Sequence, residues 1–264
     1  MTTEPTTRPQ RISRTATVLR NESLTPHLVR VVLGGPGLAD LPVGDCTDHY
    51  VKLQFPDGDR TVQRAYTVRS YDAASHELTI DFVVHGDEGI AGPWALAARP
   101  GDEIGLVGPG GGYAPAADVD WHLYVGDESA LPAIAASLER VSPGRRAVVM
   151  VEVEDAADEL PLSSPATLEV RWVHRASSAL GPGEELVDLV TTATLPRGDF
   201  DAFVHGEAGF VREVRRHLRG ERGLPPARLS ASGYWRRGRT DEDWRAEKKD
   251  WKLAVESDDA ALTA

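Results

Sequence analysis

The chain has 264 residues, a length that favours two domains of about 100 to 150 residues each over one compact core. Its composition, 41% hydrophobic and 27% charged, is typical of a globular protein. The formal net charge of -12 argues against non-specific binding to nucleic acid or to an anionic membrane surface, because both need a basic surface. No stretch approaches the ~20 apolar residues of a membrane span and the first residues lack the apolar core of a signal peptide, so we expect a cytoplasmic protein.

The chain contains one cysteine, Cys46. A single thiol excludes an internal disulfide and a cysteine-held iron–sulfur cluster, which needs several thiolates. The eight histidines include no pair at the i, i+4 spacing of a helical metal site, and we therefore predict no resident metal. If this protein transfers electrons, its carrier has to be organic.

Residues 11–113 mostly alternate apolar and polar side chains with a period of two, which is the pattern of β-strands. The clearest runs are 28–33, 50–55 and 78–84, and turn clusters such as Pro100-Gly101-Asp102 separate them. One short helix is expected near residues 92–98. This spacing predicts an N-terminal antiparallel six-stranded β-barrel, preceded by a disordered segment at residues 1–10.

From residue 114 onward, strand-like runs alternate with helix-like runs, which predicts a parallel-sheet α/β domain over residues 114–253. The predicted strands are 122–125, 148–153, 168–173, 200–205 and 228–233, and the predicted helices are 129–141, 184–190, 208–218 and 240–252. The loop 155–165 and the tail 254–264 are polar. We expect the loop to be solvated and the tail to be flexible.

The first motif, Arg64-Ala65-Tyr66-Thr67-Val68-Arg69, lies on a predicted strand. Residues two apart in a strand share a face, so Arg64 and Tyr66 should project together and Thr67 should point the other way. A flavin dinucleotide needs a cation for its pyrophosphate, an apolar face for its ring system and a small hydrogen-bonding group near N5, and these three residue types supply them. An amphipathic strand with one aromatic residue gives the same pattern.

The second motif is the glycine-rich turn at residues 85–94, His-Gly-Asp-Glu-Gly-Ile-Ala-Gly-Pro-Trp, which leads into the short helix. Free amides at a helix N-terminus, with glycines that let the backbone come close, suit a pyrophosphate. A plain tight turn explains the same residues.

The third motif, residues 125–132 (Val-Gly-Asp-Glu-Ser-Ala-Leu-Pro), is a strand, a turn and a helix with Pro132 in its first turn, where proline is tolerated. In an open α/β sheet a nucleotide binds outside the carboxyl ends of the strands, which is where this turn falls. The turn is not GxGxxG. Asp127 and Glu128 make tight anion binding less favourable, so a ribose or nicotinamide contact is the alternative.

The fourth motif is the basic run at residues 233–249. Thr240 followed by Asp243 predicts a helix N-cap, which explains the acidic residues there. Three arginines precede Thr240, and two lysines follow it within the next turns of the helix. In an acidic chain such a cluster indicates either a site for an anionic ligand or a solvated charged face.

In chain order, the segments RAYTVR, DFVVHG, AGPWA, GPGG, WHLYVGDESALPAI, HGEA and GYWRRGRTDEDWR resemble the siderophore-interacting protein family. These are NAD(P)H-dependent ferric-siderophore reductases of the ferredoxin-reductase-like superfamily, and the resemblance runs from about residue 14 to residue 251. It implies that the β-barrel binds FAD and that the α/β domain binds NADPH or NADH.

The resemblance also implies site residues. Tyr66 is expected to stack on the isoalloxazine and Thr67 to lie near N5, and the other implied FAD-binding residues are Arg64, Ala65, Asp81, Val83, His85, Ala91, Gly92 and Trp94. The implied NAD(P)H-binding residues are Gly126, Asp127, Glu128, Ser129, Ala130, Leu131, His205, Gly206 and Glu207. The implied substrate-binding residues are Lys52, Arg236, Arg239 and Lys248. Lys52 is equally explained as an exposed lysine that protects an edge strand.

The implied function is electron transfer from NAD(P)H through FAD to the Fe(III) of a ferric siderophore, with release of Fe(II) in the cytoplasm. A nicotinamide gives up two electrons together and Fe(III) accepts one, so a flavin is the physical intermediary and no catalytic triad is needed. We expect a monomer and leave ferredoxin open as a donor. The alternatives are a flavin electron-transfer module for another protein and a non-catalytic ferrisiderophore-binding protein.

Overall fold

The computed structural model describes residues 12–86 and 89–262, so the segment predicted to be disordered, 1–10, lies outside the described residues. Within these ranges the N-terminal domain is one curled antiparallel sheet of seven strands, in the order β4-β3-β7-β1-β2-β6-β5. Its elements are β1 (Ser13–Thr25), β2 (Leu28–Gly34), β3 (Tyr50–Asp57), β4 (Arg60–Thr67), β5 (Ser70–Asp72), β6 (Glu77–Val83), α1 (Ala91–Ala97) and β7 (Glu103–Gly110). The predicted antiparallel β domain is confirmed. The strand beyond the predicted six is β5, which is too short to show a period in the sequence.

The core of this domain lies inside the curl of the sheet. On β3, the alternate residues Val51, Leu53 and Phe55 are buried, and β6 adds Ile80 and Phe82 to the same cluster. The alternation follows from strand geometry, because successive side chains point to opposite faces. Burying each of these side chains stabilises the fold by about 1.5–3 kcal/mol. The flavin-type motif of β4 is paired along its length with this well-packed strand.

The C-terminal domain is a parallel five-stranded sheet with helices, counted over the described part of the chain, in the order β10-β9-β8-β11-β12. Its elements are β8 (Trp121–Asp127), α2 (Leu131–Leu138), β9 (Arg146–Val153), β10 (Thr167–His174), α3 (Glu184–Thr192), β11 (Phe200–Glu207), α4 (Ala208–Gly220), β12 (Leu229–Trp235) and α5 (Asp241–Leu262). The predicted α/β domain is confirmed. The boundary expected after residue 113 falls in the connection between β7 and β8.

The strand order reverses between β8 and β11, which therefore form the topological switch point of the sheet. Nucleotides bind at such a point, outside the carboxyl ends of the strands. Gly126 and Gly206 lie at these two carboxyl ends. A Cβ on Gly126 would lie 2.7 Å from the Ala130 Cβ and 3.0 Å from the His205 carbonyl oxygen, so glycine is needed for the two elements to pack.

The expectation of a flexible tail is wrong for residues 254–262, which form the last turns of α5. Trp251 and Val255 are buried, and Asp258 and Asp259 accept hydrogen bonds from Arg212 and Arg215 of α4. The polar sequence of this segment suggested a flexible tail, but its acidic residues form ion pairs with α4. Neither α5 nor any other described helix is long and apolar enough to cross a membrane.

The residues of the loop 155–165 are exposed or half-buried, as expected for a solvated segment, with one exception. Asp158 is buried, and its carboxylate accepts hydrogen bonds from the His27 backbone N–H at 3.1 Å and pairs with His27 Nδ1 at 2.8 Å. His27 lies in the turn between β1 and β2. The loop therefore joins the α/β domain to the β domain.

Candidate functional site

The flavin-type motif has the predicted side-chain directions. On β4, Tyr66 is paired with Val51 of β3, and Thr67 is paired with Tyr50. The Tyr66 ring packs on Phe82 with centroids 4.3 Å apart, and Trp94 lies 5.6 Å from Phe82. Tyr66 and Trp94 thus belong to one aromatic cluster at the rim of the β core. In the hydrogen-bonding order β4 is a terminal strand of the sheet.

Arg64 interacts with the α/β domain. Its Nη1 lies 2.8 Å from Glu242 Oε1 and 3.3 Å from Asp241 Oδ2, both in the first turn of α5. Arg245 of the same helix donates a hydrogen bond to the Gln63 carbonyl oxygen. Arg64, the cation expected to bind a pyrophosphate, is therefore already paired with two carboxylates. An anionic ligand at Arg64 would have to displace them.

The remaining residues implied for FAD fall into two groups. Asp81 is buried and both its oxygens accept hydrogen bonds from Arg30, at 2.7 and 2.8 Å, so the pair links β2 to β6. The others lie on β4, at or just after the end of β6, or at the start of α1: Ala65 and His85 are exposed, Val83 is half-buried, and Ala91 and Gly92 are buried. A Cβ on Gly92 would lie 3.6 Å from the Val83 carbonyl oxygen, an ordinary contact. Asp87 and Glu88 of the glycine-rich turn lie outside the described residues.

Sequence reasoning missed Tyr234, which joins the two motifs in space. Its partly buried side chain lies next to that of Thr67, and this burial raises its pKa above the ordinary value. Tyr234 also meets the His205 ring edge-on, with centroids 5.1 Å apart. The signal in the sequence was its position at the end of β12, at the same edge of the sheet as Gly126. The contact brings the carboxyl edge of the α/β sheet onto the flavin-type strand.

Asp127 holds three strand ends together. It is 2% exposed, and its carboxylate accepts hydrogen bonds from the Ser129 backbone at 2.9 Å, the Glu207 backbone at 2.8 Å and Trp235 Nε1 at 2.8 Å. The Ser129 hydroxyl donates as well. Burial raises the pKa of Asp127 to about 6, although the hydrogen bonds from these donors act to lower it. Both of its oxygens are engaged within the protein, and Trp235, 38% exposed, is fixed at the rim of the cleft.

The residues 205–207 have structural roles at this edge. Burial, with a smaller contribution from Lys248, lowers the pKa of His205 to about 3, so its ring is neutral at physiological pH. Glu207 caps α4 by accepting hydrogen bonds from Gly209 and Phe210. Gly206 has φ 138° and a Cβ there would lie 2.6 Å from Asp127 Oδ2.

The other implied nucleotide residues follow Asp127. Glu128 is buried and paired with Arg175, at 2.6 Å. Ala130 precedes α2, its backbone N–H donates to the Asp127 carbonyl, and Pro132 lies in the first turn, as predicted. Leu131 packs in the core between α2 and the sheet.

The four implied substrate-binding cations do not all converge. Lys248 of α5 is half-buried, and burial, then Lys252, and further the charges of Arg245 and Lys52, lower its pKa. Lys52 is on β3 between β4 and β7, so it is not on an edge strand. Lys52 and Lys248 therefore lie close enough for their charges to interact. Arg236 and Arg239 are instead hydrogen-bonded to Glu247 of α5, at 3.3 and 2.6 Å.

Two family models match the chain. The model described as siderophore-interacting protein matches residues 119–238, and the model described as siderophore-interacting FAD-binding domain matches residues 17–63 and 54–113. Together they span both domains.

The chain belongs to the siderophore-interacting protein family. It is 35% identical over 251 residues to the ferric vibriobactin reductase ViuB of Vibrio cholerae, covering 87% of this chain and 92% of the relative. It is 32% identical over 255 residues to the NADPH-dependent ferric-chelate reductase of Escherichia coli, covering 86% and 96%. The crystal structure of the siderophore-interacting protein SipS from Aeromonas hydrophila superposes with a TM-score of 0.80 at 32% identity, covering 91% and 98%. The predicted ferredoxin-reductase-like fold is confirmed.

The residues present fit the FAD that the matched family domain is named for. Tyr66 and Trp94 offer aromatic surface, and Thr67 supplies a small hydroxyl on the opposite face of β4. Arg64 already holds carboxylate oxygens at hydrogen-bonding distance, which shows that this position accepts anionic groups. The family's cofactor therefore finds aromatic, polar and cationic side chains on one strand and its neighbours.

Proposed function

We propose that this protein is an FAD-dependent reductase that passes electrons from NADPH or NADH to the Fe(III) of a ferric siderophore, with release of Fe(II) in the cytoplasm. The observation that carries the proposal is the close approach of the Thr67 and Tyr234 side chains. It joins the strand expected to hold the flavin to the sheet edge where a nucleotide binds. A hydride donor and its acceptor must approach to roughly 3–3.5 Å, so this contact is where such a reaction needs the two domains to meet.

The chain's own residues bind and orient. Arg64 would hold the pyrophosphate of FAD through charge-assisted hydrogen bonds, after its carboxylate partners move away. Tyr66 would cover the ring system, and Thr67, which lies next to Tyr234, would place a hydroxyl near the reacting edge. The bound FAD supplies the conversion between a two-electron donor and a one-electron acceptor.

The nicotinamide nucleotide would bind along the carboxyl edge of the parallel sheet, over the turn at residues 126–131. Asp127 acts there as a positioning residue, because it fixes the Glu207 backbone and the Trp235 ring at the rim. Gly126 lets the start of α2 and the end of β11 pack closely beneath this turn. These groups orient the nucleotide and require no proton transfer from the protein.

The ferric siderophore is the proposed electron acceptor. Two relatives are named as reductases of ferric vibriobactin and of ferric chelates, and both cover most of this chain. Lys52 and Lys248 would attract an anionic chelate to the junction of β3 and α5, because a partly buried cation pair in an acidic protein is a local basic site. The iron enters as Fe(III) within the substrate and, after accepting one electron, leaves as Fe(II), which binds hard oxygen ligands less tightly than Fe(III) does.

An anaerobic absorbance titration tests the proposal. Flavin bands of the purified protein should bleach with NADH or NADPH and return on addition of a ferric siderophore, while a ferrous chelator captures Fe(II). Protein that cannot be reconstituted with FAD would refute it. Reoxidation by a protein partner but not by ferric chelates would instead indicate an electron-transfer module. Tight binding of ferric chelate without flavin would indicate a carrier.

A pair of lysine variants tests the substrate site. Lys248→Gln removes the half-buried cation, and Lys249→Gln removes its exposed neighbour. We expect the KM for an anionic ferric chelate to rise about tenfold in the first variant only, since a charge pair in a partly desolvated site is worth about 1.5 kcal/mol or more. Equal KM values in the two variants would exclude Lys248 from the site.

A further inference from the structure

A group of four side chains lies at the carboxyl ends of three adjacent strands. Glu128 follows β8, Glu152 and Glu154 lie at the end of β9, and Arg175 follows β10. We call these four residues the Arg175 cluster. They stand at the same edge as the nucleotide turn and on the side of β8 away from Tyr234 and β12. If the nicotinamide end of the proposed nucleotide points toward Tyr234, the adenosine end lies toward this cluster.

The guanidinium of Arg175 is fully committed to the three carboxylates. Its Nη2 lies 2.6 Å from Glu128 Oε1, its Nη1 lies 3.0 Å from Glu152 Oε1, and its Nε donates to Glu154 Oε2 at 3.0 Å. Glu152 also accepts the Gly183 backbone N–H at 2.7 Å. Each nitrogen of Arg175 therefore has a carboxylate partner, and a phosphate group would have to compete with those charges.

The cluster has an excess of negative charge. Three carboxylates against one guanidinium leave a formal charge of -2. His27 from the β domain faces it, and the hydrogen bond with Asp158, together with the charges of Glu154 and Glu128, raises the His27 pKa. That imidazole is itself paired with a further carboxylate, so it does not reverse the balance.

The two nicotinamide nucleotides differ only at the adenosine ribose. A carboxylate at a strand end accepts a hydrogen bond from the ribose 2′-hydroxyl, whereas a 2′-phosphate needs an available arginine. That phosphate carries about -1.5 to -2 charges at neutral pH, and like charges brought together at a binding site are strongly disfavoured. The cluster offers carboxylates and an arginine that is already paired.

We propose that the Arg175 cluster selects NADH over NADPH as the electron donor of this protein. The inference rests on the proposed function and specifies its donor. It separates this chain from the Escherichia coli relative named for NADPH. Glu154 is the residue to change, because it is the most exposed of the three carboxylates, with 38% of its side-chain surface accessible.

The test compares flavin reduction by NADH and by NADPH in anaerobic stopped-flow experiments on the FAD-loaded protein. We expect kcat/KM to be at least about tenfold higher for NADH, which corresponds to about 1.4 kcal/mol. Glu154→Gln should raise the NADPH value about threefold or more relative to NADH, because the like-charge repulsion falls. The control is Glu169→Gln, which removes a carboxylate bonded to Arg171 of β10, away from the carboxyl edge, and should leave the ratio unchanged.

Two further readouts do not depend on turnover. By calorimetry, 5′-AMP should bind more tightly than adenosine 2′,5′-bisphosphate, and Glu154→Gln should narrow that difference. Added salt should also reduce the difference in affinity between the two ligands in the wild-type protein, because salt screens repulsion between partly exposed charges. This salt readout holds even if a variant does not fold.

The proposal is overturned by a wild-type preference for NADPH, by equal or tighter binding of the bisphosphate, or by equal ratios in Glu154→Gln and Glu169→Gln. Failure of the proposed function gives a different result. In that case neither nucleotide reduces the flavin, while the two adenosine ligands still report whether the cluster rejects a 2′-phosphate.

Discussion

Asp127 offers a quantitative test of how the site is built. Burial raises its pKa to about 6, against an ordinary value of 3.8. One pKa unit corresponds to 1.36 kcal/mol, so the shift of about two units is worth about 3 kcal/mol. Because the pKa is higher in the folded state, the stabilisation is complete below about pH 3.8 and is lost as the pH rises through about 6. At pH 8 the ionised carboxylate therefore makes folding less favourable by about 3 kcal/mol than the protonated one would.

Asp127→Asn removes this titration while keeping the side-chain size. We expect the difference in unfolding free energy, wild type minus variant, to fall by about 1.4 kcal/mol between pH 5 and pH 8, because about half of the linkage lies in that interval. Urea unfolding followed by tryptophan fluorescence at steps of half a pH unit measures it.

The matched control is Asp118→Asn. Asp118 is exposed, and the Arg228 guanidinium lowers its pKa to about 2, so its difference curve should be flat over the same interval. Parallel pH profiles for wild type and Asp127→Asn would refute the reasoning, since they would mean that the buried carboxyl does not titrate between these limits.

Three further outcomes are expected. Tyr234→Phe removes the hydroxyl that lies next to Thr67 of β4, and stopped-flow reduction of the flavin by the nicotinamide nucleotide should slow about three- to tenfold with FAD content unchanged, since a lost polar contact of this kind is worth about 1 kcal/mol. Glu242→Gln removes a competing charge from Arg64, so FAD should bind more tightly in fluorescence titrations; weaker binding would contradict the assigned role. Trp251→Ala should lower the unfolding free energy by about 3–5 kcal/mol, and Leu253→Ala, at an exposed position, by less than about 0.5, which denaturant unfolding can compare.

The local features of the fold could be predicted from the sequence. The period of two gave the β domain, and strand geometry alone placed Arg64 and Tyr66 on one face of β4 with Thr67 on the other. Thr240 accepts a hydrogen bond from the Asp243 backbone N–H at 3.2 Å, as the capping pattern predicted. Each of these features is decided by neighbours in the chain.

Contacts between distant residues could not be predicted in this way. The residues around Arg64 in the sequence do not predict its ion pair with Glu242. Those around Thr67 do not predict its contact with Tyr234. The last turns of α5 looked like a solvated tail because the partners of their acidic residues are arginines more than 40 positions earlier. Which distant residues come into contact depends on how the elements pack. The periodic pattern of a single sequence does not show this packing.

The two domains touch through several different segments of the chain. The His27–Asp158 pair lies at the β1–β2 turn, the Thr47 and Ser137 hydroxyls are 2.7 Å apart, and Thr67 meets Tyr234 at the end of β12. A single contact would act as a pivot, whereas several contacts made by different elements restrict the rotation of one domain against the other. In the proposed reductase, the distance between the nicotinamide and flavin rings would then be set when the protein folds. Turnover would need no movement of one domain toward the other.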